Sequence, residues 1–305
     1  VSSSTPWGKL DKVKFICPSP GYDRHFAICE HFGIEMITVD MKADGPDMDQ
    51  VEALVAADDS IKGIWIVPKY GNPTGTSVSD EVVDRLAKMK TSANDFRIFW
   101  DNAYSVHHLS EDIDVIKNLF KECISAGNAD RVYIYGSTSK ITFAGSGMAA
   151  LGGSEANMDW MRKHLTISTI GPDKINQVRH CRFFGDFAGL QNHMTKHAAL
   201  IKPKFDIVIS ILEEQLGGKG LATWTNPKGG YFISLDTNNG CAKRVVALAS
   251  EAGVKLTVAG ATFPYKNDPK DSNIRLAPTL PSVEEIKLAM EIVCLCVELA
   301  DAEKA

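Results

Sequence analysis

Short apolar runs separated by helix-patterned stretches are the feature that most narrows what this chain can become. Val13–Cys17, Glu35–Val39, Gly63–Val67, Arg97–Trp100 and Arg131–Tyr135 are rich in β-branched and aromatic residues, continuous rather than alternating. A strand reads this way when both faces of its sheet are covered. Between the runs lie helical candidates at Tyr22–Phe32, Met48–Ala56, Asp80–Met89 and Asp114–Ser125. Strand–helix–strand repetition predicts an α/β fold, with a mostly parallel sheet and helices on both faces.

The pattern changes after about residue 190. Gln191–Leu216 is one amphipathic stretch interrupted only by Pro203, and Gly217-Gly218 supplies a helix stop. Single strands then follow at Gly230–Leu235, Gly253–Thr257 and Asn273–Ala277, mixed with helices at Gly240–Ala252 and Val283–Ala300. Pro281-Ser282 supplies an N-terminal cap for the last helix. The prediction is a large α/β domain over residues 1–195 and a smaller α+β domain over residues 196–305.

Bulk properties exclude several classes of function. A net charge of -5 without a run of like charges argues against nucleic acid or an anionic membrane surface as partner. No stretch of about 18 consecutive apolar residues is present to span a membrane. Val1–Asp11 lacks the basic-then-apolar order of a secretory signal, and the chain opens on Val rather than Met. Seven cysteines show no disulfide framework. Cys294 and Cys296 lie in an apolar helical run with no second pair to complete a metal site. Reduced thiols, no metal and a cytoplasmic location are expected.

In parallel α/β sheets ligands sit beyond the carboxyl ends of the strands, so the polar residues after each strand matter most. After Gly63–Val67 comes Pro68-Lys69-Tyr70-Gly71-Asn72-Pro73-Thr74-Gly75, which by itself reads equally as a plain turn. Asp101-Asn102-Ala103-Tyr104 follows Arg97–Trp100; an acid at the end of an apolar strand needs a cation or donors, though helix capping explains many such residues. Gly136-Ser137-Thr138-Ser139-Lys140 follows Arg131–Tyr135, and its lysine is either a surface residue or an amine beside an anion site.

Together, and in this order, Asn-Pro-x-Gly, Asp-x-x-Tyr and Ser-x-Ser-Lys resemble the fold-type I aminotransferases that use pyridoxal 5'-phosphate (PLP). Pro227-Lys228-Gly229-Gly230-Tyr231-Phe232 and Asn273-Ile274-Arg275-Leu276-Ala277-Pro278 extend the resemblance over roughly residues 13 to 298. The resemblance implies that Lys140 bonds covalently to the cofactor aldehyde and later carries the substrate α-proton. It implies Asp101 as the carboxylate facing the ring nitrogen, and Tyr104 and Asn72 as donors to the phenolic oxygen. Ser137 and Ser139 match hydroxyls that bind the phosphate, and Arg275 the guanidinium that grips the substrate carboxylate. Tyr22 stands where the family stacks an aromatic ring on the cofactor, or else merely covers a helix start. Gly229-Gly230 reads as a tight turn.

Two departures accompany the match. The family usually carries an arginine shortly after the lysine; Met148 stands there, with Thr142 or Ser146 as substitute phosphate partners. Nothing before Trp7 resembles the family's leading helix and phosphate turn, so the sequence is expected to lack an N-terminal segment. The run Pro18–Phe26 and the missing arginine resemble an atypical bacterial aspartate aminotransferase-like subgroup, some of it labelled as MocR-type regulators. The expected function is transamination between an amino acid, aspartate first, and 2-oxoglutarate, by a homodimer. A cation for the second carboxylate is sought among Lys174, Arg179 and Arg182, which read equally as interface charges. A PLP-dependent β-lyase and a non-catalytic ligand-sensing domain are the alternatives.

Overall fold

The computed structural model describes residues 5–304. Its strands and helices alternate, in chain order, as β1 (Lys14–Ser19), α1 (Asp23–His31), β2 (Glu35–Lys42), β3 (Gly45–Pro46), α2 (Met48–Ala57), β4 (Ile61–Ile66), α3 (Asp80–Lys88), β5 (Arg97–Asp101), α4 (Leu119–Ser125) and β6 (Val132–Ser137). Then follow β7 (Ala149–Gly153), α5 (Glu155–Ser168), α6 (Lys174–Phe184), α7 (Phe187–Leu216), β8 (Ala222–Trp224), β9 (Ile233–Thr237), α8 (Ala242–Glu251), β10 (Asn273–Leu276) and α9 (Val283–Lys304).

A seven-stranded sheet in the order β3-β2-β1-β4-β5-β6-β7 dominates the fold. Its five central strands run parallel, and only β3 and β7 are antiparallel. The continuous apolar runs follow from this arrangement, because both faces are covered. On one face Ile16, Ile64 and Ile98 pack with Val51, Leu86 and Leu119 from α2, α3 and α4. On the other, Phe15 and Cys17 pack with Phe26 and Cys29 of α1. Short polar side chains start these helices: Asp47, Ser79 and Asn118 each accept a backbone N–H of the first turn.

A second sheet, β10-β9-β8, is antiparallel and packs with α7, α8 and α9. The mixed α+β pattern of the last third is thus a separate apolar core. One unbroken helix, α7, enters it, and the boundary expected at residue 195 lies inside that helix.

Several sequence expectations need correction. Asp114–Asn118 is not helical; α4 begins at Leu119, because the Asn118 side chain accepts the Lys121 N–H at 3.0 Å and caps there. Gly253–Thr257 forms no strand: Gly253 and Val254 turn back to bond the carbonyls of Ser250 and Ala249 at the end of α8. The third strand of the small sheet is instead β8. The strand expected from Gly230 begins at Ile233, since the residues before it are held in a turn against Tyr70 and His107. Pro203 does not divide α7, which starts at Phe187; its ring lies on an exposed face of the helix. At Ser282 the expected cap is present as a reciprocal pair, Glu285 N to Ser282 Oγ at 3.2 Å and Ser282 N to Glu285 Oε2 at 2.7 Å.

Ile98, fully buried in β5, tests the weight of the large core. Ile98→Ala should lower unfolding free energy by about 2–5 kcal/mol in urea titrations. Ile124→Ala, on the exposed side of α4, should stay within about 0.5 kcal/mol.

Candidate active site

Parallel strands β1, β4, β5 and β6 end at one edge, and the loops leaving them carry most of the residues singled out from the sequence. Asp101 is the last residue of β5, paired in register with Tyr135 of β6, and Asn102 N–H bonds the Tyr135 carbonyl at 3.0 Å. After β6 the chain makes one tight turn: Ile141 and Thr142 N–H both return to the Thr138 carbonyl at 2.9 Å. Lys140 projects from that turn.

The charges at this edge are arranged in a chain of contacts. Asp101 Oδ2 lies 2.9 Å from Nε2 of His25, in the first turn of α1. A carboxylate only accepts, so this nitrogen donates. His25 is buried and stacks flat on Trp65, ring centroids 4.4 Å apart at 11°. Lys140 Nζ sits 4.7 Å from the ring centroid of buried Tyr104. Burial pushes the Lys140 pKa below its ordinary value, and the charge of Asp101 works in the opposite direction. Tyr104 is pushed up by burial, then by Tyr22 and Asp101. Tyr22 rises for the same first reason, helped by Asp23 and Asp101. Its ring meets His25 edge-on at 5.0 Å.

Arg275, in the middle of β10, reaches this edge from the small sheet. Its Nη1 donates to Asp23 Oδ1 at 2.8 Å and to Asn72 Oδ1 at 3.2 Å, and its Cζ lies 5.1 Å from the Phe232 ring centroid. Its Nε is buried without a partner among the described residues. Asn72, Tyr22, Asp101, Tyr104, Lys140 and Arg275 are therefore brought together from five separate segments.

Ser137 and Ser139 lie just beyond. Ser137 Oγ donates to Ser139 Oγ at 2.9 Å and accepts the Ser139 N–H at 3.1 Å. Thr142 Oγ1 turns elsewhere, donating to the Thr138 carbonyl at 3.2 Å and lying 3.0 Å from His180 Nε2. Met148 pairs through its backbone with Thr138. Arg179 and Arg182 of α6 are not among the contacts of Arg275; with His193 and His197 they line a cavity of about 560 Å³ beside Ile141 and Thr142. Gly229 is a close-approach position: a Cβ there would meet the Tyr70 ring and the His107 carbonyl. Gly230, at φ +80°, also lies against Tyr70, where a Cβ would meet the Tyr70 Cβ and carbonyl.

His25, Asp23 and His107 were not anticipated as site residues. His25 had a signal, three residues after Tyr22 on one helix face. His107 stands at the same spacing after Tyr104, but its other partners, Lys140 and Tyr231, come from distant segments.

The family model for aspartate amino-transferase matches residues 1–305. The chain belongs to this aminotransferase family. An aminotransferase described as putative, from Mycolicibacterium smegmatis, is 52% identical over 303 residues, covering 99% of this chain and 71% of that one. The aspartate aminotransferase of Corynebacterium glutamicum is 50% identical over 301 residues, covering 99% and 69% respectively. The crystal structure of an aspartate transaminase from that organism superposes with a TM-score of 0.97, at 50% identity, over 99% of this chain and 71% of its own. The aminotransferase fold, with its large mostly parallel sheet, is thus the one predicted. Aminotransferases of this family are PLP-dependent enzymes acting on amino acids and 2-oxo acids. These relatives support neither the lyase nor the sensing-domain alternative. Among the described residues of this aminotransferase, no helix is long and apolar enough to cross a membrane.

His107 provides a test of burial at this edge. Burial lowers its pKa from 6.5 to about 4. Between those values the unfolded chain binds more protons, so its contribution to stability is lost as pH falls below 6.5. From pH 7 to pH 5 the parent should lose about 2 kcal/mol more unfolding free energy than His107→Gln, measured by denaturant titration at each pH.

Proposed function

We propose that this aminotransferase moves an amino group between aspartate and 2-oxoglutarate, with Lys140 as the amine that takes the cofactor. One observation carries the reading: a half-buried amine over Tyr104, a carboxylate held by His25 and a guanidinium with a spare buried donor meet at one sheet edge.

These residues suit PLP. Lys140 has no carboxylate in contact with its Nζ among the described residues, so its amine is available for covalent attachment. Asp101 would face the ring nitrogen, Tyr104 and Asn72 the phenolic oxygen, Tyr22 the ring face, and Ser137 and Ser139 the phosphate. When bound, the cofactor supplies an electron sink for the substrate α-carbon. The remaining work belongs to the chain. Burial of Lys140 favours its neutral amine, the form that accepts a proton at Nζ. His25, fixed by its stack on Trp65, holds the Asp101 carboxylate in one orientation. Arg275 presents a planar fork to an α-carboxylate, and Asp23 on Nη1 is the group that the substrate displaces or shares.

The substrate choice follows the relative from C. glutamicum named aspartate aminotransferase. Arg179, Arg182 and Lys174 of α6 are the candidate cations for a second carboxylate, offered to a neighbouring subunit. Exposed Ile167, Ile170, Ile175 and Phe183 around α5 and α6 support a homodimer through that face. The apolar cores on the two faces of the large sheet, separate from that of the small sheet, support units of 1–195 and 196–305. Pro18–Phe26 and Met148 support the atypical bacterial subgroup, and seven free cysteines support a cytoplasmic setting.

Borohydride reduction in the presence of PLP, followed by digestion, should place a phosphopyridoxyl tag on the Lys140 peptide. Lys140→Ala should lose the tag and the transamination of aspartate; undiminished turnover would sink the reading. Arg275→Ala should raise apparent KM for aspartate by a factor corresponding to about 2–5 kcal/mol. Ammonia release in place of glutamate formation would mark a lyase.

A further inference from the structure

The peptide carbonyl of Lys140 is held from two sides. Tyr231 Oη donates to it at 2.7 Å, and His107 Nε2 lies 3.2 Å away. A carbonyl oxygen only accepts, so His107 carries its proton on Nε2. Its Nδ1 is then a bare lone pair, buried without a partner among the described residues. His107 itself is 3% exposed, between the rings of Tyr104 and Tyr231 at 5.4 and 5.3 Å. An unsatisfied buried nitrogen costs stability. A phenylalanine ring there would carry no unpaired nitrogen. What an imidazole adds there is the bond to Lys140.

The turn that carries Lys140 has need of it. The local bonds from Ile141 and Thr142 both end on the Thr138 carbonyl. The Lys140 carbonyl is left to donors from far along the chain, one after β5 and one before β9. Tyr231 also adjoins Phe232, whose ring meets the Arg275 guanidinium. One dipeptide thus touches both the main chain of Lys140 and the cation of the small sheet.

We propose that His107 and Tyr231 are positioning residues for Lys140, fixing the peptide plane from which its amine reaches over Tyr104. The inference rests on the reading of Lys140 as the cofactor's amine. A reacting group displaced by about 1 Å loses about 100-fold in rate, so an anchored peptide matters more than either bond's own strength.

Tyr231→Phe removes one oxygen and keeps the ring. In the cofactor-free protein, amide hydrogen exchange across Ile141 and Thr142 should rise about tenfold, as for one lost hydrogen bond, with other peptides unchanged. In the loaded enzyme kcat should fall about 10- to 100-fold, with KM for aspartate within about twofold. His107→Phe should behave likewise, and His107→Gln, whose amide donates from near the Nε2 position, should recover most of the loss. Unchanged exchange and kcat, a rise in KM alone, faster exchange throughout the protein, or equal losses for Gln and Phe would each overturn the proposal. The borohydride experiment separates the two readings. A parent untagged at Lys140 removes both, whereas a tagged parent with an unaffected Tyr231→Phe removes the positioning role alone.

Discussion

Everything at the active edge depends on placing a carboxylate at the end of a strand that is otherwise apolar. Asp101 closes β5 at the point where the parallel sheet stops and the loops begin. Leaving it there without a donor would be costly. His25 supplies the donor, and the flat stack on Trp65 of neighbouring β4 fixes the imidazole. The geometry of the large sheet and the orientation of one acid are therefore a single problem, solved by α1 packing back across β1 and β4.

Lys140 is the complement of that acid, held apart from it. Its amine rests over an aromatic face instead of in an ion pair, and burial favours the uncharged form. A tight pair with Asp101 would raise the pKa and occupy both groups. Keeping them out of contact leaves the Lys140 amine without a bound carboxylate among the described residues, while Asp101 stays bonded to His25. Arg275 is similar: its hydrogen bonds among the described residues run through Nη1, and its buried Nε has no partner there.

The large sheet was legible because its signal is local: a doubly covered parallel strand is apolar throughout, and each such run appears close to its expected place. What escaped was whatever depends on less distinctive composition. β7 is Ala-Ala-Leu-Gly-Gly, with neither alternation nor β-branched residues, and only its pairing with β6 makes it a strand. Gly253–Thr257 had the composition of a strand but no neighbour to bond. Asp114–Asn118 had helical composition, yet Asn118 capped the helix after it.

The order of motifs in the sequence determined the family and pointed to Lys140, Asp101 and Arg275, because each belongs to a short distinctive run on or just after a strand. Only the tertiary structure decided that Asp23 shares Arg275, that His25 orients Asp101, and that His107 and Tyr231 meet at the Lys140 carbonyl. Those contacts join residues up to 252 positions apart. Nothing in the neighbouring sequence of either partner encodes the other; they meet because the two sheets, each folded on its own core, bring them to the same edge.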